Sequence, residues 1–203
     1  MKQEPWATKA RKNARAIVAA VIAPVLCLLV PLVPGPRESI SVHAQDRHPI
    51  LRLESRSFTD GGSLPRRLTC DGPDVSPELH WASAPAGIRS FAILMSDPDA
   101  PIDFTHWIAY NIPSSARGLA EGASAHDGMP EGSAQGTNSF GRFGYGGPCP
   151  PAGKSHHYVF RLYALDVRLA LPPGALRDRM EAAMSGHILA EGQIIGIYRR
   201  PTQ

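Results

Sequence analysis

Two short segments of this chain gather titratable side chains at the ends of stiff bends. The first is Asp97-Pro98-Asp99-Ala100-Pro101, followed by His106-Trp107. The second is Gly146-Gly147-Pro148-Cys149-Pro150-Pro151, followed by His156-His157-Tyr158-Val159-Phe160. Proline fixes φ and removes an amide donor, so bends built on these prolines are rigid. A rigid rim that presents a carboxylate, imidazoles and a phenol is suited to a small polar ligand. Phosphate oxygens accept from protonated imidazole, from a phenol O–H and from loop N–H groups. Gly144, Gly146 and Gly147 let backbone approach closely and can present amides to an anion. Asp97 would repel a phosphate, so its tasks are to orient a histidine or to accept from an amine.

Each of these residues also has a plainer reading. His106 beside Trp107 fits a satisfied core position, and His157, alternating with Tyr158, is expected to face away from the cavity. Asp99 is expected to cap its own turn through the backbone. His80, His126 and His187 read as surface or structural, and Phe143 and Tyr145 as loop packing. Asp97, His106 and His156 are metal-ligating types, but their spacing supports no metal site. No metal or other cofactor is expected.

The elements that must hold these residues are short and strand-like. Leu51 to Ser55 alternates as a half-buried strand, and Ser90 to Met95 is a continuous apolar run for a strand covered on both faces. Thr105 to Ile112 alternates again, with His106, Ile108, Tyr110 and Ile112 on one side and Trp107 on the other. Tyr158 to Leu165 and Gln193 to Tyr198 complete the expected strands. Leu176, Met180, Ala183 and Met184, continuing to His187, recur at helical spacing after Pro172-Pro173-Gly174. Pro113 to Ser155 holds ten Gly and five Pro in 43 residues. Its Phe140, Phe143 and Tyr145 argue for an ordered loop framing a site rather than a solvated linker. The pattern predicts one mainly β domain with few helices.

The two motifs, in this order, resemble the paired motifs of the phosphatidylethanolamine-binding protein family, and more closely its bacterial Raf-kinase-inhibitor-like branch. The likeness runs from about Ile50 to Tyr198. Thr69-Cys70-Asp71-Gly72 with Val75-Ser76-Pro77, and Asn138 through Gly147, add to it. The resemblance implies central antiparallel β-sheets with a few peripheral helices and a surface pocket for anions and phosphorylated head groups. By matching motifs, Asp97, His106, His156 and Tyr158 would line that pocket, with Pro101, Gly147, Pro150 and Pro151 shaping it. An ethanolamine-like head group carries an anion and an ammonium, and would use both kinds of partner. His157 stands where the family often has Arg.

Charge and leader set the compartment. Residues 1–44 take six of the 21 Lys and Arg and two of the 18 Asp and Glu. The remaining 159 residues therefore carry 15 positive and 16 negative charges, a net of −1, which excludes the basic face of a nucleic-acid reader. Residues 16–36 contain no charge and follow five basic residues, the pattern of an export signal. Val42-His43-Ala44 suits cleavage after Ala44, giving a periplasmic or secreted body from residue 45 to 203. The alternative is an uncleaved anchor in residues 16–36, which keeps the basic end in the cytoplasm and the body outside. Either way, contact with a membrane runs through the N-terminal segment only. In an oxidising compartment, Cys70 and Cys149, the two cysteines of the body, are expected to pair; two free thiols are the other reading.

The leading expectation is thus a non-catalytic binding protein for a small anionic or phosphorylated ligand, such as a phospholipid head group. A protein inhibitor that docks on a protease or kinase through the pocket rim is the alternative. A hydrolase ranks third, because no G-x-S-x-G elbow or nucleophile–base–orienter set is present.

Overall fold

A computed structural model describes residues 49–202, apart from 83, 126 and 127. The expected leader, residues 1–44, lies outside the described residues. The elements in chain order are β1 (Arg52–Glu54), β2 (Gly62–Ser63), a 3-10 turn (Arg66–Leu68), β3 (Leu79–Ala82) and β4 (Ser90–Asp97). They continue with β5 (Phe104–Pro113), β6 (Gly118–Leu119), β7 (Ala134–Gln135), β8 (Ser155–Leu165), α1 (Arg177–Met184) and β9 (Ile188–Arg199). No helix among the described residues is long and apolar enough to cross a membrane.

Two sheets form a single, mainly β domain. The larger has the order β2-β9-β8-β4-β5-β7 and the smaller β1-β3-β6. All pairings are antiparallel except that of the two-residue β2 with β9, a parallel edge contact. β4 is central in the larger sheet and buried along its whole length, which explains its continuous apolar run. One face sends Phe91, Ile93 and Met95 into a core shared with Leu53, Leu79, Trp81 and Leu119 of the smaller sheet. The other sends Ala92 and Leu94 against Met180 and Met184 of α1. Full burial of one such side chain is worth about 1.5–3 kcal/mol, so covering both faces of β4 is the main anchor of the fold.

Two irregularities overturn the simple alternation expected of β5. Asn111 adopts a positive φ of 57°, and the register with β4 slips between Phe91 and Ile93. A bulge of this kind inserts one residue and reverses the parity beyond it. Ile112 therefore packs in the same core as Trp107 and Ala109, whereas Ile108 and Tyr110 face the helix side. A second slip puts His106 between partners: Trp107 opposes Met95 and Thr105 opposes Ser96. His106 thus joins Trp107's side of the sheet instead of lying opposite to it, and its ring meets Tyr158 of that same core.

The helix is shorter than its apolar spacing suggests. It ends at Met184, and Gly186, at φ 79°, turns the chain before His187. His187 instead bonds Asp166 through Nδ1 at 2.8 Å.

Candidate ligand-binding site

The site lies at one end of the larger sheet, where β4 ends and β5 and β8 begin. Asp97 is the last residue of β4; His156 and Tyr158 sit near the start of β8, one strand over. Residues 156 and 158 face inward, while His157 between them is exposed, as strand alternation requires. The bulge in β5 turns His106 onto the same side. Asp97, His106, His156 and Tyr158 are all buried and converge there.

Their contacts define what each can do. His156 donates from Nδ1 to Asp97 Oδ2 at 2.7 Å. Asp97 Oδ1 accepts from the backbone N–H groups of Asp99 and Ala100, at 2.9 and 3.1 Å. One carboxylate therefore orients a histidine and also closes the turn after β4. The capping expected of Asp99 falls to Asp97. Asp99 instead accepts both the backbone N–H and the imidazole Nδ1–H of His157, each at 2.7 Å. His106 donates from Nδ1 to the Gly146 carbonyl at 2.6 Å. A carbonyl only accepts, so this partner fixes the proton on Nδ1 and leaves Nε2 uncommitted. His156 is in the same position.

Burial lowers the pKa of His106, an effect opposed by its bond to Gly146 and by the charge of Asp97. Burial raises that of Tyr158 strongly, and the charges of Asp97 and Asp99 add to it, so its hydroxyl remains a proton donor. That buried hydroxyl makes no hydrogen bond of good geometry among the described residues, although the Asp97 carboxylate and the Cys149 backbone lie close enough to act on it. The ring of Tyr158 stands edge-on to His106, with centroids 5.1 Å apart.

The long Gly- and Pro-rich segment is an ordered frame. Gly146 N–H donates to the His106 carbonyl at 2.9 Å, which makes its contact with His106 reciprocal. Gly147 N–H donates to Asp74 Oδ1 at 2.6 Å. A Cβ on Gly147 would collide with that carboxylate and with the Leu68 carbonyl, so this close approach requires glycine. Asn138 holds the loop: its amide donates to the Gly144 carbonyl and its oxygen accepts from Phe140 and Arg142 N–H. Tyr145 is packing, as expected, against Trp107, and its hydroxyl donates to the Leu68 carbonyl at 2.7 Å.

The shaping prolines divide. Pro150 is buried in the frame, whereas Pro101 and Pro151 are exposed. Pro101 lies on the turn between Asp97 and β5, and the Pro151 carbonyl accepts from Lys154 N–H in the turn into β8. Cys70 and Cys149 form a disulfide, with Cα atoms 5.4 Å apart. Asp74 escaped the motif reading of the site, and Phe140 was expected only to order the loop that frames it. Phe140, 39% exposed, packs edge-on against His106 at 5.4 Å and Phe104 at 4.8 Å. Its presence in a glycine-rich loop was the one available signal. No cluster of three or more metal-ligating side chains occurs among the described residues.

With this geometry in place, the chain can be set beside known proteins. The family profile described as phosphatidylethanolamine-binding protein matches residues 54–199. A UPF0098 protein of Aquifex aeolicus is 51% identical over 156 residues, covering 74% of this chain and 90% of that protein. One from Methanothermobacter thermautotrophicus is 47% identical over 151 residues, covering 74% and 99%. Among solved structures, Escherichia coli YbcL, described as a new member of the mammalian PEBP family, aligns with a TM-score of 0.70 at 32% identity, over 73% of this chain and 98% of its own. A Chlamydia trachomatis PEBP homologue aligns with a TM-score of 0.68 at 34% identity, over 74% and 98%. The profile match spans both motifs and every strand from β2 to β9, and on this evidence the chain belongs to the phosphatidylethanolamine-binding protein family.

Proposed function

We propose that this protein is an exported, non-catalytic binding protein for a small anionic or phosphorylated ligand, held among Asp97, His106, His156 and Tyr158. Family membership supports ligand binding in general. The observation that carries the finer reading is the buried Tyr158 hydroxyl without a partner, beside two imidazoles whose Nδ1 atoms are already committed. A phosphate oxygen would accept from that hydroxyl and from Nε2–H of each histidine once protonated. Asp97 stays bonded to His156 through Oδ2 and is also the natural acceptor for a ligand ammonium. Phosphoethanolamine combines both charges.

The pH dependence follows from the proton count. With Nδ1 holding a proton, a neutral His106 offers an anion a lone pair at Nε2, and only the cation offers a donor. Burial holds the His106 pKa below its ordinary value near 6.5. Binding an anion takes up a proton there, so affinity rises as pH falls, most steeply below about pH 6.5. Sulfate, whose charge is constant in this range, isolates the protein's own titration. Calorimetry should find sulfate binding tighter by about tenfold or more at pH 5.5 than at pH 8, with the difference reduced in His106→Ala. Equal affinities at the two pH values, unchanged in His106→Ala, would overturn histidine-centred binding.

Docking to a protein is the second reading, favoured by Ile102 and Phe140, which are exposed on the turn after Asp97 and on the loop packed against His106. His106→Ala separates the two: lost ligand binding with intact partner inhibition would favour docking. Export rests on the leader pattern and agrees with the disulfide. Intact-mass measurement on protein from its own envelope should give a chain beginning at Gln45; a full-length mass would support the anchor.

A further inference from the structure

A second charged cluster lies next to the disulfide. Arg66, Asp71, Ala152, Arg200 and Pro201 line a cavity of about 580 Å³. Arg66 donates from Nε to the Asp71 carbonyl at 2.6 Å, and Arg200 from Nε to Asp71 Oδ1 at 3.0 Å. The remaining carboxylate oxygen accepts from the Tyr198 hydroxyl at 2.7 Å. Asp71 is therefore fully engaged, and the Tyr198 bond and the two arginines hold its carboxyl below the usual range. Each guanidinium, by contrast, has committed only its Nε. The terminal nitrogens of both meet no acceptor among the described residues.

The frame around these cations is cross-linked. Cys70, next to Asp71, is bonded to Cys149, three residues before Ala152. Gly153 N–H donates to the Arg200 carbonyl at 2.8 Å, and Arg200 N–H to the Lys154 carbonyl at 3.3 Å. Two guanidiniums facing one cavity against a single occupied carboxylate leave a net positive charge and unused planar donors. That is the arrangement that recognises phosphate and carboxylate groups.

We propose that this cavity is a second anion site, separate from the histidine cluster, which takes a phosphate or carboxylate group between Arg66 and Arg200. Ala152 and Pro201 cover an adjoining apolar part of the ligand. A guanidinium stays charged at any physiological pH, so this site is indifferent to the pH change that governs the histidines.

The test is calorimetry with sulfate at pH 8, on the full chain carrying His106→Ala to weaken the other site. Binding should persist there, weaken about tenfold in a further Arg66→Ala change and survive within a few-fold in Arg66→Lys. Arg66→Ala leaves the Arg200–Asp71–Tyr198 contacts intact, so the fold is retained. Absence of sulfate binding at pH 8, or equal affinity with and without Arg66→Ala, would overturn the proposal. Co-sedimentation with phosphatidylglycerol vesicles then distinguishes the source of the anion. Vesicle binding lost with Arg66 assigns the site to a lipid head group, and sulfate binding without vesicle binding assigns it to a soluble ligand; both support an arginine-held anion.

Discussion

A buried hydroxyl with no partner costs about 1–3 kcal/mol relative to one that is satisfied, and Tyr158 carries such a hydroxyl beside two half-committed imidazoles. That oxygen makes no hydrogen bond of good geometry in the free protein, while the ring it belongs to packs edge-on against His106. Stability and binding should therefore part company at this residue. Tyr158→Phe keeps the ring and removes the unpaired donor, so the free protein is expected to become more stable by up to about 1 kcal/mol. The same change removes a donor to the anion and should weaken phosphoethanolamine binding about tenfold. Urea unfolding and calorimetry on one variant read both effects. Loss of stability together with unchanged affinity would make Tyr158 a structural residue only. Asp97 and His156 behave otherwise: they satisfy each other in the free protein, so removing either exposes its partner as well as the ligand.

At the level of the elements, the site depends on two departures from regular strand geometry in β5. The slip at His106 aims its ring at Tyr158, and the positive φ of Asn111 resets the face on which Ile112 packs. Asn111 is well suited to its position, since asparagine tolerates this backbone region better than most residues. Its side chain also bridges to Leu169, accepting from the N–H at 2.7 Å and donating to the carbonyl at 2.9 Å. Asn111→Ala would leave both buried Leu169 groups unpaired, and an unfolding free energy lower by about 2–4 kcal/mol is expected in urea. A loss under about 0.5 kcal/mol, the scale of an ordinary surface change, would mean the bridge is dispensable.

The same irregularities mark what the sequence made legible. A continuous apolar run identified β4, and aromatic and β-branched residues identified most of β8 and the second half of β9, because these stretches are largely buried. Asp97, His106, His156 and Tyr158 were visible as polar residues at strand ends, and two proline-braced bends suggested that they meet. The side to which His106 points was not legible, since a bulge leaves no mark on hydrophobic periodicity. Nor was the exchange of roles between Asp97 and Asp99: both sit in the same turn, and only the position of His156 decides which carboxylate faces inward. The smaller sheet was largely hidden because β3 and β6 are four and two residues long.

For the molecule as a whole, one covalent link organises both charged cavities. The disulfide spans 79 residues, joining the 3-10 turn region to the frame that holds Gly146 and Gly147 against His106 and Asp74. Alongside it, Cys70 N–H donates to the Pro148 carbonyl at 3.1 Å. Asp71 of the arginine cavity directly follows Cys70, and Gly146 and Gly147, just before Cys149, contact the histidine cluster and Asp74. Closing so long a loop removes freedom chiefly from the unfolded chain, by about 4 kcal/mol in the chain-entropy account. That is a large fraction of the 5–15 kcal/mol typical of a domain. Replacing both cysteines by alanine should lower the urea midpoint accordingly and steepen the denaturant dependence, because the unlinked unfolded chain exposes more surface. It should also weaken sulfate binding at pH 5.5 in an Arg66→Ala background and at pH 8 in a His106→Ala background alike, since these read the histidine and the arginine cavity separately. An effect at one pH alone would confine the brace to that cavity, and an unchanged midpoint would show that the hydrogen-bonded frame, not the disulfide, holds the two walls together.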